Sequence, residues 1–296
     1  MSTLELVVRR SVEIADGIRE MAFADPDGRP LPAHPAGSHL IVGRNAYSLT
    51  NAGLTPVEYT IAVLNKGHGS ARMHAYRAGD RVTSTRPRST FAPVSTARRH
   101  LLVAGGIGIT PLLAHARVAR RWGHDVRLHY VHRPGRGAYA DELAELLGDR
   151  LARTTDAGEF RASLALDDQP LGTHLYVCGP ESLTAGVLAD AAAAGWPAQR
   201  LHTERFVPVV APPGRPFVAR LARRGLDVSV PAGTSLLEAL LAEGVAVPNL
   251  CRQGVCGECE VPVLAGRPEH RGDFQPDDGL LCCVSRSESA TLVLDL

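Results

Sequence analysis

The first third of the chain alternates apolar and polar residues in short runs, which Gly, Pro and Asp interrupt. The clearest runs are Leu4–Val8, His39–Val42, Tyr59–Val63 and Arg81–Ser84. Short alternating runs with turn residues between them are typical of a small antiparallel barrel. The pattern therefore predicts an antiparallel β-barrel domain over residues 1–96.

The middle third changes to short apolar runs that alternate with longer helical segments. The predicted strands are His100–Ala104, Val126–His132, His174–Cys178 and Arg200–Thr203, and the predicted helices between them are Leu112–Trp122, Ala140–Leu147 and Glu181–Ala194. Strands that alternate with helices imply a parallel sheet with helices on both faces. Residues 97–206 are therefore predicted to form an α/β parallel-sheet domain.

A proline-rich segment, 207–215, separates this domain from the last one and is predicted to be a semi-stiff linker. Residues 216–296 then combine strands Phe217–Leu221 and Leu226–Val230 with helix Leu236–Ala242. Further strands return at Val261–Leu264 and Thr291–Leu294. This order predicts a small β-grasp module, so the chain as a whole is expected to be multidomain.

Composition narrows the class of protein. The 296 residues are 45% hydrophobic and 21% charged, with a formal net charge of +1. The near-neutral balance gives no basic footprint for nucleic acid. No apolar run reaches the ~20 residues of a membrane span, and the first residues lack the apolar core of a signal peptide. A cytoplasmic protein is expected, because five of the six cysteines lie beyond residue 250 and do not resemble a disulfide framework.

These clustered cysteines carry the strongest chemical signal. Cys251, Cys256 and Cys259 have the Cys-x4-Cys-x2-Cys spacing of a plant-type 2Fe–2S site, and a fourth cysteine follows much later. Gly254 and Gly257 would let the loop turn tightly around the cluster. A zinc site or unpaired buried thiols are the alternatives, but zinc sites use paired short motifs, and no matching His-x3–5-His lies near these cysteines. The spacing therefore predicts a 2Fe–2S cluster.

Two adjacent residues, Cys282 and Cys283, compete for the fourth ligand position. Neighbouring side chains in an extended segment point to opposite faces, so only one of the two is expected to bind.

The predicted barrel contains two candidate binding segments. Tyr47 and Ser48 lie on a strand from which they could pack against and hydrogen-bond a planar isoalloxazine, although an ordinary β-strand is the simpler interpretation. Backbone amides at Gly69 and Ser70 could receive a phosphate at a helix start, although an ordinary glycine-rich turn would explain the same sequence. Neither segment is decisive by itself.

In the α/β domain, Gly105, Gly106 and Gly108 lie between a strand and a helix, followed by Thr110 and Pro111. A glycine turn between strand and helix is the arrangement that receives dinucleotide phosphates, although the GxGxxG fingerprint is absent. Cys178 and Gly179 end a later strand, where ligands of such sheets bind. A buried cysteine before a turn is the alternative reading.

Taken in order, these motifs resemble the phthalate dioxygenase reductase family, which includes vanillate demethylase reductases. The resemblance covers essentially the whole chain. It implies a flavin, FMN rather than FAD, with NADH as hydride donor and single electrons passing through the cluster to a partner oxygenase. The implied cofactor-binding residues are Arg44, Asn45, Tyr47, Ser48, Leu49, Gly69, Ser70, Gly105, Gly106, Gly108, Thr110, Cys178, Gly179, Pro180 and Phe206, and the implied metal ligands are Cys251, Cys256, Cys259 and Cys283.

The chain departs from the family pattern at Arg44, which lies one residue before the usual arginine position that Asn45 occupies here. A shift of one residue along a strand reverses the face of a side chain, so Asn45 becomes a candidate in its place. The shorter loop before Ser70 weakens the choice of FMN. Arg133 or Arg136 could receive a 2′-phosphate, which leaves NADPH open.

The resemblance implies a transiently docking terminal oxygenase, most often a Rieske-type oxygenase or demethylase. A haem-thiolate monooxygenase is the alternative partner, and a zinc-stapled binding module is a remote alternative function. No residue is assigned as a general acid or base. A monomer is expected.

Overall fold

The computed structural model describes residues 3–296 except 44, 207–213, 250–253, 255–256, 273–275 and 277. By their contacts the residues divide into two units, 1–42 with 46–206 and 207–296 with 43–45. The predicted fold class is confirmed by the three sheets described below. The domain boundaries predicted within the chain stay predictions.

The first sheet is the predicted barrel. Its strands are β1 (Thr3–Ala15), β2 (Ile18–Ala24), β3 (Ser38–Val42), β4 (Asn45–Ser48), β5 (Tyr59–Leu64), β6 (Arg81–Thr85) and β7 (Arg88–Ser89), and helix α1 (His68–Ala75) follows β5. The strand order is β4-β3-β6-β1-β2-β5, with β7 also paired to β3. Leu49, directly after β4, forms a bridge with Ile61 of β5, which brings the two ends of the sheet together. Alternate side chains such as Leu6, Val8 and Met21 fill the interior.

The second sheet, in the same unit, is parallel. Its elements are β8 (Arg99–Gly105), α2 (Ile109–Trp122), β9 (Asp125–Val131), α3 (Ala140–Leu147), β10 (Leu151–Thr154), α4 (Ala157–Ser163), β11 (Thr173–Cys178), α5 (Glu181–Ala193) and β12 (Leu201–Glu204). The order β10-β9-β8-β11-β12 runs outward in both directions from β8. The order therefore reverses between β8 and β11, and ligands of such sheets bind beyond the strand ends at that point.

The second unit contains the ferredoxin-like module. Its elements are β13 (Phe217–Leu221), β14 (Leu226–Val230), α6 (Leu236–Ala242), β15 (Glu260–Ala265), β16 (Pro268–Glu269), β17 (Gly279–Leu281), β18 (Arg286–Ser287) and β19 (Thr291–Leu294). The main sheet has the order β14-β13-β19-β15-β17, and β16 pairs with β18. Ser235 begins α6 in a reciprocal capping box with Glu238, as Ser or Thr followed by Glu at this spacing favours. Leu236, Leu237 and Leu240 then bury one face of α6 in the core.

The structure departs from the sequence prediction mainly at short or non-alternating elements. β2 was not predicted because its buried residues do not alternate with exposed ones. β10 and α4 were also not predicted; they are short, with four and seven residues, and each contains few large apolar side chains. Helix α1 begins at His68 rather than Ser70, and α2 begins at Ile109 rather than Leu112.

Buried histidines give the first unit a pH dependence. Burial lowers the pKa of His39, His100 and His129 to about 4 and that of His115 to about 3, from an ordinary value of 6.5. The unfolded chain takes up protons below about pH 6.5, whereas the folded chain does so only near pH 4. The contribution of these histidines to stability is therefore complete above pH 6.5 and is lost as the pH falls through this window.

We expect each of these histidines to remove up to ~1.4 kcal/mol of stability per pH unit in that window. Hydrogen exchange of the β8 and β11 amides at pH 7 and pH 5, corrected for intrinsic rates, measures the loss. Helix α6 provides an internal control, because His270, the one histidine in residues 207–296, is exposed. Equal protection of β8 and β11 at both pH values would contradict the expectation.

Candidate functional site

Two loops meet where the strand order of the parallel sheet reverses. One follows β8 and contains Gly105 and Gly108, and the other follows β11 and contains Gly179. A Cβ built on Gly179 would lie 3.0 Å from the Cα of Gly105, and one on Gly108 would lie 2.7 Å from the Gly179 amide nitrogen and closer still to the Cys178 carbonyl. Because the obstructing atoms are backbone, only glycine permits this approach. The predicted glycine and Cys178 motifs thus form one site.

The start of α2 faces this same edge of the sheet. Gly106–Gly108 forms a single 3-10 turn that leads into α2, and Gly106 has a φ of +54°, in the left-handed region that favours glycine. The Thr110 hydroxyl donates to the Ile107 carbonyl at 3.1 Å, so it stabilises the turn. No side chain caps α2. Its first amides are therefore suited to the phosphates of a dinucleotide.

Strand β4 carries the predicted flavin-binding residues Tyr47 and Ser48 and is here termed the flavin strand; it reaches this edge through Ser48. The Ser48 Oγ donates to Glu204 Oε2 at 2.8 Å, and both residues are buried. Glu204 ends β12 and pairs with Cys178 on β11. Burial first, and then the nearby Glu204 carboxylate, raise the pKa of the Cys178 thiol well above its ordinary value. Cys178 is therefore a neutral packing group rather than a thiolate nucleophile.

Other residues of the predicted flavin site lie around the same strand. Asn45 begins β4, Tyr47 packs in part against the barrel core, and Leu49 is fully buried. Phe206, two residues after Glu204, is partly buried against the core that contains Cys178. Arg44 lies outside the described residues, so the structure does not decide between it and Asn45.

The predicted phosphate loop of the barrel is shaped by Ser70. Its hydroxyl donates to the Gly67 carbonyl at 2.7 Å and accepts from the Lys66 amide at 2.8 Å. Because α1 begins at His68, the amides of Gly69 and Ser70 lie in its first turn, where amides have no partner within the helix. The Ser70 side chain thus positions the loop and leaves its backbone N–H for a ligand.

In the second unit, Cys259 and Cys283 are described, whereas Cys251 and Cys256 lie outside the described residues. Gly254 and Gly257 have φ angles of +75° and +77°, as the sharp loop around a cluster requires. A Cβ on Gly254 would lie 2.9 Å from the Gly272 Cα, so the loop is closely packed. The thiol donors and the glycine turns fit a 2Fe–2S cluster.

The two competing cysteines differ in surroundings. Residues 282–284 form a turn, closed by a bond from the Val284 amide to the Leu281 carbonyl, rather than the extended segment that the sequence suggested. Cys282 is fully buried in the module core, whereas Cys283 is partly exposed. Burial, and then proximity to Cys259, raise the pKa of Cys282. The proximity of Cys282 to Cys259 favours Cys282 as a ligand. The complete burial of the Cys282 side chain in the module core instead favours the more exposed Cys283.

Sequence reasoning could not have found the contact between Ser48 and Glu204. The two residues are 156 positions apart, and no sequence motif contains both of them. The one available signal was the Glu204-Arg205-Phe206 segment, which resembles the Glu-x-Phe that the family has near the flavin and nicotinamide.

No helix among the described residues is long and apolar enough to span a membrane.

Comparison with known proteins agrees with this arrangement. The family profile of the 2Fe–2S iron-sulfur cluster binding domain matches residues 219–288. The profile of the dimethylamine monooxygenase subunit DmmA-like N-terminal domain matches residues 80–201. The chain is 42% identical to the heme-dependent oxidative N-demethylase beta subunit of Ectopseudomonas mendocina (strain ymp), with 100% of both chains covered.

Solved structures that are similar over the whole chain include the following two. Phthalate dioxygenase reductase, a modular structure for electron transfer from pyridine nucleotides to a 2Fe–2S cluster, shares 33% identity with a TM-score of 0.73 and covers 100% of this chain and 98% of its own. An intact type IV self-sufficient cytochrome P450 monooxygenase shares 31% identity with a TM-score of 0.84. That match covers 99% of this chain but 41% of the longer P450 chain.

The fold and the sites define a modular oxidoreductase that binds a flavin, a nicotinamide coenzyme and a 2Fe–2S cluster. The chain belongs to the phthalate dioxygenase reductase family, whose members are the reductase components of oxygenase systems.

The close approach at Gly108 yields a test of the nicotinamide site. Gly108→Ala would push a methyl group into the backbone at Cys178 and Gly179, so the two loops must separate. We expect the Kd for the nonreactive analogue tetrahydro-NADH to rise at least about tenfold, or ~1.4 kcal/mol. Equilibrium titration of the purified chain measures it.

Gly186→Ala is the matched control, because Gly186 lies within α5 and its added Cβ would be 3.7 Å from the nearest atom, in the Arg161 side chain. The control should bind the analogue as the unaltered chain does. Unchanged affinity in Gly108→Ala would show that this approach does not shape the site.

Proposed function

We propose that this chain carries FMN, takes its electrons from NADH and delivers them singly to a terminal oxygenase that docks at the ferredoxin-like module. The observation that carries the proposal is the buried hydrogen bond between Ser48 and Glu204. This bond joins the flavin strand of the barrel to the strand-end edge of the parallel sheet. A flavin held along Tyr47 and Ser48 would therefore lie next to a coenzyme held by the glycine loops.

When bound, the flavin supplies the conversion of a hydride into two single electrons, which the one-electron 2Fe–2S centre can accept. The protein contributes orientation and exclusion of water. Gly105, Gly108 and Gly179 let the two loops pack closely at the sheet edge, and the start of α2 would receive the phosphates. Cys178 stays neutral beside this position, and Ser48 holds the Glu204 carboxylate in place. No proton transfer to an organic substrate is required of any residue.

The family resemblance supports FMN, and the start of α1 is suited to its phosphate. The first-turn amides of Gly69 and Ser70 can receive one terminal phosphate, and the Ser70 hydroxyl fixes the loop around it. Heat release of the flavin from purified protein, followed by chromatography against FMN and FAD standards, decides between the two. Family resemblance supports NADH, and the limiting rates of anaerobic flavin reduction by NADH and NADPH test this choice.

For the partner, the sequence predicts a Rieske-type oxygenase or demethylase, and relatives named for phthalate dioxygenase are consistent with it. A haem-dependent oxygenase is the second candidate. It is favoured by the 42% identity, over the full chain, to the heme-dependent N-demethylase beta subunit. A transient encounter is expected in both cases, since electron-transfer partners bury little area. A monomer in the reducing cytoplasm fits these expectations.

Reconstitution separates the two partners. Purified reductase is mixed with NADH and, in parallel, with a Rieske demethylase and a haem-dependent N-demethylase, each supplied with its own substrate. Substrate-dependent NADH oxidation with one oxygenase alone identifies the partner class. A chain that reduces cytochrome c rapidly but couples to neither oxygenase would contradict both candidates.

We further propose that Cys283 is the fourth cluster ligand and that Cys282 is a core residue. Cys282 donates its backbone N–H to the Cys259 carbonyl at 3.0 Å, and its own carbonyl accepts from Leu237 on α6 at 2.8 Å. These bonds and the complete burial of its side chain tie Cys282 to the packing of the module. The partly exposed Cys283 is better placed for a cluster that must pass electrons outward.

Exchanging each cysteine for serine distinguishes the two assignments. Cys283→Ser should lose the iron–sulfur absorption and acid-labile sulfide, because the hydroxyl is a poor ligand compared with a thiolate. Cys282→Ser should keep both, with a loss of stability of about 1–3 kcal/mol from a buried hydroxyl. Iron content, sulfide content and the EPR signal of the reduced cluster are the readouts. The opposite pattern would assign the ligand to Cys282.

A further inference from the structure

A side chain on α2 contacts the flavin strand directly. Arg117 Nη1 donates to the Thr50 carbonyl at 2.8 Å, and Thr50 lies two residues beyond Ser48. Helix α2 begins at the glycine loop that would hold the coenzyme phosphates. Arg117 thus connects the helix that would carry one reactant to the strand that would carry the other.

The guanidinium of Arg117 is held in place from its other side. Its Nε and Nη2 donate to the two carboxylate oxygens of Glu142 on α3, at 2.7 and 2.8 Å. The guanidinium also lies 6.0 Å from the centre of the Tyr139 ring. A bidentate pair fixes the plane of the guanidinium more strictly than a single contact does. Only Nη1 then remains directed at the barrel.

Tyr139 makes a second connection next to the first. Its hydroxyl donates to Glu20 Oε2 on β2 at 2.9 Å, while Glu20 Oε1 accepts from Arg10 at 2.7 Å. Tyr139 has a φ of +59°, a left-handed conformation that is unfavourable for a bulky residue. Such a conformation persists where its surroundings hold it, and here they hold the start of α3 against the barrel.

We propose that Arg117 is a positioning residue for hydride transfer, acting through the Thr50 carbonyl to fix the flavin strand relative to helix α2. The inference rests on the proposed function, since it concerns the same pair of bound rings. Hydride transfer needs two rings in close, aligned contact, and displacement by ~1 Å can slow a positioned reaction by up to ~100-fold. Arg117 touches neither ring, so its loss should change the distance between them and leave their binding intact.

The test compares Arg117→Met with Arg121→Met. Methionine keeps the apolar stem of Arg117 but lacks the guanidinium, so it cannot donate to Thr50 or Glu142. Arg121 is the matched control because it lies on the same helix, is exposed and contacts the Trp122 ring at 5.7 Å. In Arg117→Met the limiting rate of flavin reduction, measured anaerobically by stopped flow, should fall about tenfold. The flavin content and the Kd for tetrahydro-NADH should remain within about twofold of those of the unaltered chain.

Two milder variants test the positioning role of Arg117 further. Arg117→Lys should recover part of the rate, because an ammonium can donate to the Thr50 carbonyl but cannot form the bidentate pair. Glu142→Gln should slow reduction severalfold, because it weakens the support of an intact Arg117. If Arg117→Met does not retain flavin, the rate of flavin reduction in Glu142→Gln tests the positioning role instead.

The outcomes separate this inference from the proposed function. An unaltered chain whose flavin is reduced by neither NADH nor NADPH would contradict the proposed function. An unaltered chain that is reduced normally, with a wild-type limiting rate in Arg117→Met and Glu142→Gln, would overturn the positioning role alone. A rise in Kd with no change in the limiting rate would also overturn it, since that result belongs to a binding residue.

Discussion

The buried hydrogen bond between Ser48 and Glu204 is the contact on which the proposed chemistry depends. It joins a barrel strand to the end of β12, where Glu204 lies beside Cys178. A buried carboxylate is costly unless hydrogen bonds satisfy it, so displacing the Ser48 hydroxyl would cost free energy. The contact thereby fixes the flavin strand at the one edge of the parallel sheet that is suited to a dinucleotide.

The second unit solves a different problem, which is to hold a metal-binding loop on a small module. Arg286, three residues after Cys283, is buried, and its guanidinium donates to the carbonyls of Arg215, Pro231 and Thr234. Burial lowers the pKa of this arginine, and the carbonyls together with the Phe217 ring, 5.2 Å away, compensate for the buried charge. Arg286, in the Val284-Ser285-Arg286 segment that follows the proposed ligand Cys283, therefore has a structural role within the module.

Sequence patterns predicted the helices and strands better than they predicted the contacts between them. β13, β14, α3, α6 and β19 begin and end where periodicity, capping and turn residues indicate, because these are local properties. The resemblance grouped Ser48, Cys178 and Gly108 into neighbouring sites, and the family comparison confirmed its functional implication. The bond from Arg117 to Thr50 was not foreseeable from the sequence. An arginine in an amphipathic helix is normally expected to face solvent, and only the tertiary structure brings the Thr50 carbonyl next to it.

The central claim is that the Ser48–Glu204 bond aligns the flavin with the nicotinamide. The most direct test is the limiting rate of anaerobic flavin reduction by NADH in Ser48→Ala, measured by stopped flow with Ser229→Ala as a control on an exposed strand position. A hydrogen bond to a charged group contributes about 1.5–3 kcal/mol, so we predict a rate at least about fivefold lower than in the control, with flavin still bound. A Ser48→Ala chain that retains flavin and reduces it at the control rate would contradict the account.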